Sequence, residues 1–158
     1  HADLLVASIT VPTAITSGTA FDVSWRVSNV GSRAATGEWV DRVYLSANGL
    51  IDGNARLLAS VSHQGDLSSQ GFYDAAARVS VPVDTSGAYQ IVVVTDVQGQ
   101  VREVGGEDNN ARLASASIAL APYADLKVVT ATAPSGEIID DPIRMTIGWS
   151  VVNEGTGA

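Results

Sequence analysis

Glu103-Val104-Gly105-Gly106-Glu107-Asp108-Asn109-Asn110 gathers three carboxylates and two side-chain amides into eight residues, shortly after Asp96. Hard oxygen donors at this density suit Ca²⁺, which takes about six to eight oxygens in flexible geometry. The two glycines let the backbone bend and offer carbonyl oxygens. Asp96, Glu103, Glu107, Asp108 and Asn109 are therefore the candidate metal ligands, and Ca²⁺ the candidate ion. The same residues also spell a hairpin turn capped by the Asn109 and Asn110 side chains, and that reading stands beside the first. A second segment, Asn48-Gly49-Leu50-Ile51-Asp52-Gly53-Asn54, is half of a Ca²⁺ loop. It lacks the closing glutamate of an EF-hand, so a plain turn is expected.

Other chemistry is thin. The two histidines are His1 and His63, and His63, at a strand end beside Gln64, is expected to be a surface imidazole. The sequence contains no Gly-x-Ser-x-Gly elbow, no HExxH and no P-loop. The neighbouring carboxylates Glu107 and Asp108 have no recognisable pocket partners for acid–base work. No catalytic residue is assigned, and an enzyme is not expected. The chain has no cysteine, which excludes disulfides and thiolate metal sites and gives mild support to an exported protein. Asp141-Pro142 is an acid-labile bond in a linker-like turn, read as incidental.

Bulk properties narrow the partners. The 158 residues carry 17 acidic and 9 basic side chains, a net charge of −8, and Lys127 is the single lysine. Such a field repels a phosphate backbone, so nucleic acid is not expected as a partner. No apolar run approaches the ~20 residues of a membrane helix, so membrane insertion is not expected. No signal peptide is visible, which fits a mature chain or an excised piece, with His1 the last trace of a tag.

The elements that must position these groups are strands. Phe21, Val23, Trp25 and Val27 alternate with Asp22, Ser24, Arg26 and Ser28, the period of a strand with one buried face. Further strands are expected at Trp39 to Ser46 (inward face ambiguous), Arg56 to His63, Phe72 to Val81, Tyr89 to Asp96 and Asn110 to Leu120. In Phe72 to Val81, Tyr73, Ala75, Ala77, Val79 and Val81 share one face; Tyr89 to Asp96 is apolar enough to be central. Turn residues separate the strands and no stretch has helical periodicity. About seven short strands at this spacing predict an all-β, immunoglobulin-like two-sheet sandwich. Asp84 to Tyr89 resembles the tyrosine corner of such domains, whose hydroxyl bonds to upstream backbone. With no inter-sheet cysteines, Trp25, Trp39, Tyr89 and the aliphatic residues must hold the sheets together.

The sequence also repeats itself. Ala2-Asp3-Leu4 returns as Ala124-Asp125-Leu126, and Pro12 as Pro134. Trp25-x-Val27-x-Asn29-x-Gly31 returns as Trp149-x-Val151-x-Asn153-x-Gly155, with two extra residues in the turn near Glu137 to Pro142. A period of about 122 residues is too long for a solenoid and suits a tandem domain. Residues 1–121 are expected to form a complete sandwich. Residues 122–158 are expected to supply the first two strands of a truncated second copy, about Asp125 to Ala133 and Ile143 to Asn153, with Met145, Ile147, Trp149 and Val151 inside. Two strands cannot close a sandwich, so this copy is expected to pair with another chain through its exposed edges.

Four segments in order then resemble the CARDB domain, a cell-adhesion-related domain found in bacteria. They are the Ala-Asp-Leu opening, Trp25 to Gly31, Trp39-Val40-Asp41-Arg42-Val43-Tyr44-Leu45-Ser46, and Glu103-x-x-x-Glu107-Asp108-Asn109-Asn110. Gly105-Gly106 departs from the polar pair expected before Glu107. The resemblance implies an immunoglobulin-like module repeated in bacterial or archaeal secreted and cell-surface proteins. Such chains often also carry Ca²⁺-binding repeats, and the expected role is a non-catalytic adhesion or spacer module, stiffened by Ca²⁺ at the oxygen-rich loop, with neighbouring repeats of the same chain as partners. The alternative is a glycan- or protein-binding module that uses Trp39, Tyr44, Phe72 and Tyr123 as stacking platforms.

Overall fold

The alternating pattern of residues 21–29 becomes a strand because every second side chain can enter one apolar layer. In the computed structural model, which describes residues 1–105, 107–136 and 144–157, this is β3 (Ala20–Asn29), with Phe21, Val23, Trp25 and Val27 buried. The chain divides into two units, His1–Leu120 and Ala121–Ala158.

The first unit adds β1 (Leu4–Thr10), β2 (Ile15–Thr16), β4 (Glu38–Ser46), β5 (Arg56–Gln64), β6 (Phe72–Ser80), β7 (Gly87–Val94) and β8 (Ala111–Ala119). One sheet has the order β1-β3-β6 and the other β2-β8-β7-β4-β5. This is the expected all-β, immunoglobulin-like sandwich. Its core runs from Ala2 to Ile118 and contains Trp25, Trp39, Ile91, Val43 and Val93.

The chain enters both sheets within its first sixteen residues. β1 pairs antiparallel with β3, whereas β2 pairs parallel with β8 through Ile15↔Ile118 and Thr16↔Ala119. Pro12 lies between them and has no N–H for a ladder. The ladder breaks there and the chain crosses to the opposite sheet.

The ambiguous face of residues 39–46 is resolved. Trp39, Asp41, Val43 and Leu45 point inward, and a register shift against β5 falls between Val43 and Tyr44. Tyr44 is also buried, on a strand flanked by β7 and β5.

The tyrosine corner does not form. Tyr89 is half-buried on β7 opposite Ala116, and no hydrogen bond joins its hydroxyl to upstream backbone among the described residues. That connection is held by Thr85 N–H donating to the Pro82 carbonyl at 3.1 Å and by Ser17 Oγ donating to Val83 O at 2.9 Å.

The second unit contains β9 (Leu126–Thr132) and β10 (Gly148–Asn153), an antiparallel pair. The inward face expected for it is not buried: Met145, Ile147, Trp149 and Val151 are 49%, 51%, 67% and 46% exposed. A two-stranded ribbon has no second layer to cover either face. The extra turn residues and the Asp141-Pro142 bond lie outside the described residues.

Candidate functional site

The repeated motif builds a clamp. Asn29 is fully buried at the end of β3, where its Oδ1 accepts from Asp3 N–H and Gly31 N–H, both at 3.1 Å. Its Nδ2 donates to the carbonyls of Arg33, Leu67 and Ser68. One amide thus ties the start of β1 to two loops and satisfies backbone groups that burial would otherwise orphan. Gly31 must be glycine for space: a Cβ there would meet the His1 carbonyl oxygen, and Asp3 N at 2.6 Å.

The second unit reproduces the clamp. Asn153 Oδ1 accepts from Asp125 N–H and Gly155 N–H, both at 2.9 Å. A Cβ on Gly155 would meet the Tyr123 carbonyl oxygen, and Asp125 N at 2.6 Å. The ladders share a register, with Leu4↔Asn29 and Ile9↔Trp25 matched by Leu126↔Asn153 and Ala131↔Trp149. In each ladder one residue is skipped, Ala7 in β1 and Val129 in β9.

Among the described residues, the candidate Ca²⁺ ligands Asp96, Glu103 and Asn109 each have hydrogen-bond partners of their own. Asp96 is buried in a left-handed conformation, φ 44°. Its carboxylate accepts from Gln100 N–H at 2.7 Å and Val101 N–H at 2.8 Å. Burial pushes its pKa up against the pull of those two bonds. Glu103 is buried, and its Oε1 accepts from Leu4 N–H at 2.9 Å. With its amide turned to suit its neighbours, Asn110 donates to the Leu4 carbonyl and, at 3.3 Å, to Glu103 Oε2. Glu107, Asp108 and Asn109 form a single 3-10 turn, where Asp108 is exposed and Asn109 Nδ2 donates to Asp3 Oδ1 at 2.9 Å. Asp96 shapes its own turn, while Glu103, Asn109 and Asn110 fasten the β7–β8 connection to β1. Among the described residues no group of three or more His, Cys, Asp or Glu could hold a metal ion.

The Asn48–Asn54 segment is the plain turn expected. Asn48 Oδ1 accepts from Leu50 N–H, and Asp52 Oδ1 from Asn54 N–H. The Asn54 bond is the main cause that lowers the Asp52 pKa.

A second cluster escaped sequence reasoning. Asp41, 1% exposed, points inward from β4. Its Oδ2 accepts from Trp25 Nε1–H and from the Tyr73 hydroxyl, both at 2.8 Å. Tyr73 in turn accepts from Trp39 Nε1–H at 3.0 Å. Burial, and then the charge of Asp41, push the Tyr73 hydroxyl well above its ordinary pKa. His63 is not the surface imidazole expected, because its ring stacks on Trp39 at 4.2 Å and on Tyr73 at 4.0 Å. Burial lowers its pKa against the opposing pull of Asp41. The sequence carried no signal for it: with the inward face of residues 39–46 ambiguous, Asp41 reads equally as a solvent-facing acid, and only its burial shows that it needs partners.

The proposed aromatic platforms divide. Trp39 and Tyr44 are buried. Phe72 is exposed but carries the Arg26 guanidinium 3.9 Å above its ring, and Tyr123 is exposed. Among the described residues no helix is long and apolar enough to cross a membrane.

The comparisons with known proteins agree with this architecture. No curated protein matches the chain in sequence. The chain resembles the crystal structure of a CARDB domain from Pyrococcus furiosus in complex with di-metal ions, with 20% identity, TM-score 0.57, and 75% of this chain and 89% of that one covered. It resembles the solution structure of the same domain at 21% identity and TM-score 0.57, with 76% and 97% covered. A β-glucosidase from Listeria innocua shares the fold at 12% identity and TM-score 0.50, over 75% of this chain and 16% of the enzyme. The CARDB family model matches residues 1–114, the whole span from the clamp at β1 to the middle of β8, and the chain therefore belongs to the CARDB family.

Proposed function

We infer that the chain is a non-catalytic adhesion or spacer module from a tandem array in a secreted or cell-surface protein of a bacterium or archaeon. Family membership supports the non-catalytic, adhesion-related part. The observation that carries the tandem part is the second clamp: the same Asn-x-Gly network, register and skipped residue recur in β9–β10. Residues 1–121 are then one full domain and residues 122–158 the opening of another, with neighbouring repeats as its partners. A chimera that replaces residues 1–33 with 123–157 tests the equivalence. It is expected to unfold in one cooperative transition; a chimera with no cooperative transition removes it.

Self-association belongs to the same reading, because exposed Trp149 and Val151 of β10, with Met145 and Ile147 just before it, stand where the buried face of β3 stands in the first unit. Glycan or protein recognition is the alternative. It now rests on Phe72 and Tyr123, and a glycan array without hits would count heavily against its glycan form.

Ca²⁺ stabilisation of the β7–β8 connection is a second reading, favoured by the metal ions of the related domain. Asp96, Glu103, Glu107, Asp108 and Asn109 are its ligand set. Asp96 and Glu103 already accept backbone N–H groups, so the ion would share them. A melting temperature that rises in Ca²⁺ over chelator supports this reading, and equal values remove it.

A further inference from the structure

β5 and β6 are the end strands of their respective sheets, and a cavity of about 250 Å³ lies between them, lined by Asp41, Val61, His63, Tyr73 and Asp74 among others. Two of the lining groups have buried polar atoms without a hydrogen-bond partner among the described residues, Asp41 Oδ1 and His63 Nε2. Asp41 is 99% buried by its 1% exposure. Burial of an unmet acceptor is costly, so such atoms call for a ligand.

Both atoms are electron-pair donors, and both are held in place by their surroundings. Asp41 Oδ2 is fixed by Trp25 and Tyr73, which leaves Oδ1 free. The His63 ring stacks on both Trp39 and Tyr73. Nε2 is buried without a partner, and with the proton on Nδ1 the neutral imidazole carries a lone pair there. An imidazole held by ring stacking, beside a carboxylate that is itself hydrogen-bonded, is a fixed pair of donors of the kind that supports a bound metal.

In that tautomer the two atoms cannot satisfy each other, whereas one cation satisfies both. No lysine or arginine is among the residues that line the cavity, and its other carboxylate, Asp74, is already paired with Arg26 at 2.7 Å. An imidazole nitrogen beside a carboxylate oxygen suits a borderline cation such as Zn²⁺, whereas Ca²⁺ takes oxygen shells. No third His, Asp or Glu completes the set among the described residues, so water takes the remaining positions.

We propose that the gap between the β5 and β6 edges is a binding site for one divalent transition-metal cation of the Zn²⁺ type, held by Asp41 Oδ1 and His63 Nε2. This site is separate from the β7–β8 connection and does not depend on the Ca²⁺ reading. The test uses the 158-residue chain carrying His1→Ala, so that His63 is its single histidine. ZnCl2 is titrated by calorimetry, and the imidazole nitrogens are followed by NMR. One equivalent is expected to bind, with the Nε2 resonance moving more than Nδ1, and excess CaCl2 is not expected to displace it. His63→Gln and Asp41→Asn are each expected to weaken binding at least about tenfold. If Asp41→Asn does not fold, His63→Gln on the β5 edge decides alone. No Zn²⁺ binding up to millimolar concentration, or unchanged affinity in His63→Gln, overturns the proposal.

Discussion

Asn29 has five hydrogen bonds to backbone groups, and loss of its side chain orphans several of them at once. Asn29→Ala is expected to destabilise the domain by about 3–5 kcal/mol, measured by urea unfolding. Gly31→Ala forces the His1–Asp3 backbone away and is expected to cost about 1–3 kcal/mol. Glu103 separates a fastener from a metal ligand. Glu103→Gln retains an acceptor for Leu4 N–H, so it is expected to lose less than half of what Glu103→Ala loses, about 1–3 kcal/mol. His63 sets a pH response, measured in chelator. Its pKa lies below the ordinary 6.5 because burial outweighs the attraction of Asp41. The unfolded chain therefore takes up the proton first as pH falls. The contribution is complete above about pH 6.5 and is lost as pH falls through the folded pKa. The same fall in melting temperature is expected to be shallower in His63→Gln. Asp96, whose pKa is raised by burial, acts with the opposite sign and in a more acidic window.

Strands were legible where one face meets the core and the other meets water. β3 alternates for that reason, and the apolar run at residues 91–94 marks β7, which lies between β8 and β4. β4 was ambiguous because Tyr44 and Ser46 are buried as well as Trp39, Asp41, Val43 and Leu45, so burial does not alternate along it. β2 was invisible: two residues carry no period, and its parallel pairing with β8 depends on where residues 118 and 119 lie in space. Trp25 and Trp149 occupy the same position of one motif in different surroundings, 2% and 67% exposed. Trp25→Ala is expected to cost about 3–5 kcal/mol, and Trp149→Ala less than about 0.5 kcal/mol, in the unfolding of the first unit.

The core cluster lies wholly within the first unit, from Ala2 to Ile118. A chain of residues 1–120 is therefore expected to unfold cooperatively with nearly the melting temperature of the 158-residue chain. Residues 121–158 alone are expected to lack stable structure, since an isolated hairpin is marginal in water; circular dichroism of both pieces checks this. Sedimentation velocity tests the exposed second unit. The 158-residue chain is expected to self-associate with concentration, whereas residues 1–120 remain monomeric. A monomeric 158-residue chain would remove self-association and leave the tandem reading intact.

The Ca²⁺ ligand set shows where sequence reasoning stops. Glu103 to Asn110 is dense in oxygen donors, but the same atoms serve as ligands or as fasteners according to what stands opposite them. That neighbour is β1, nearly a hundred positions earlier: Leu4 N–H reaches Glu103, and Asp3 reaches Asn109. The sequence by itself determined the all-β class, the alternating face of β3, the family and the recurrence of the clamp motif, because periodicity and fixed spacing are local properties. Only the tertiary structure decided that Asp41, Tyr73, His63 and two tryptophans form one cluster, that Pro12 passes the chain between sheets, and that the oxygen-rich connection is tied to β1. Those outcomes depend on which strands meet across the sandwich, and residues far apart in the chain set them.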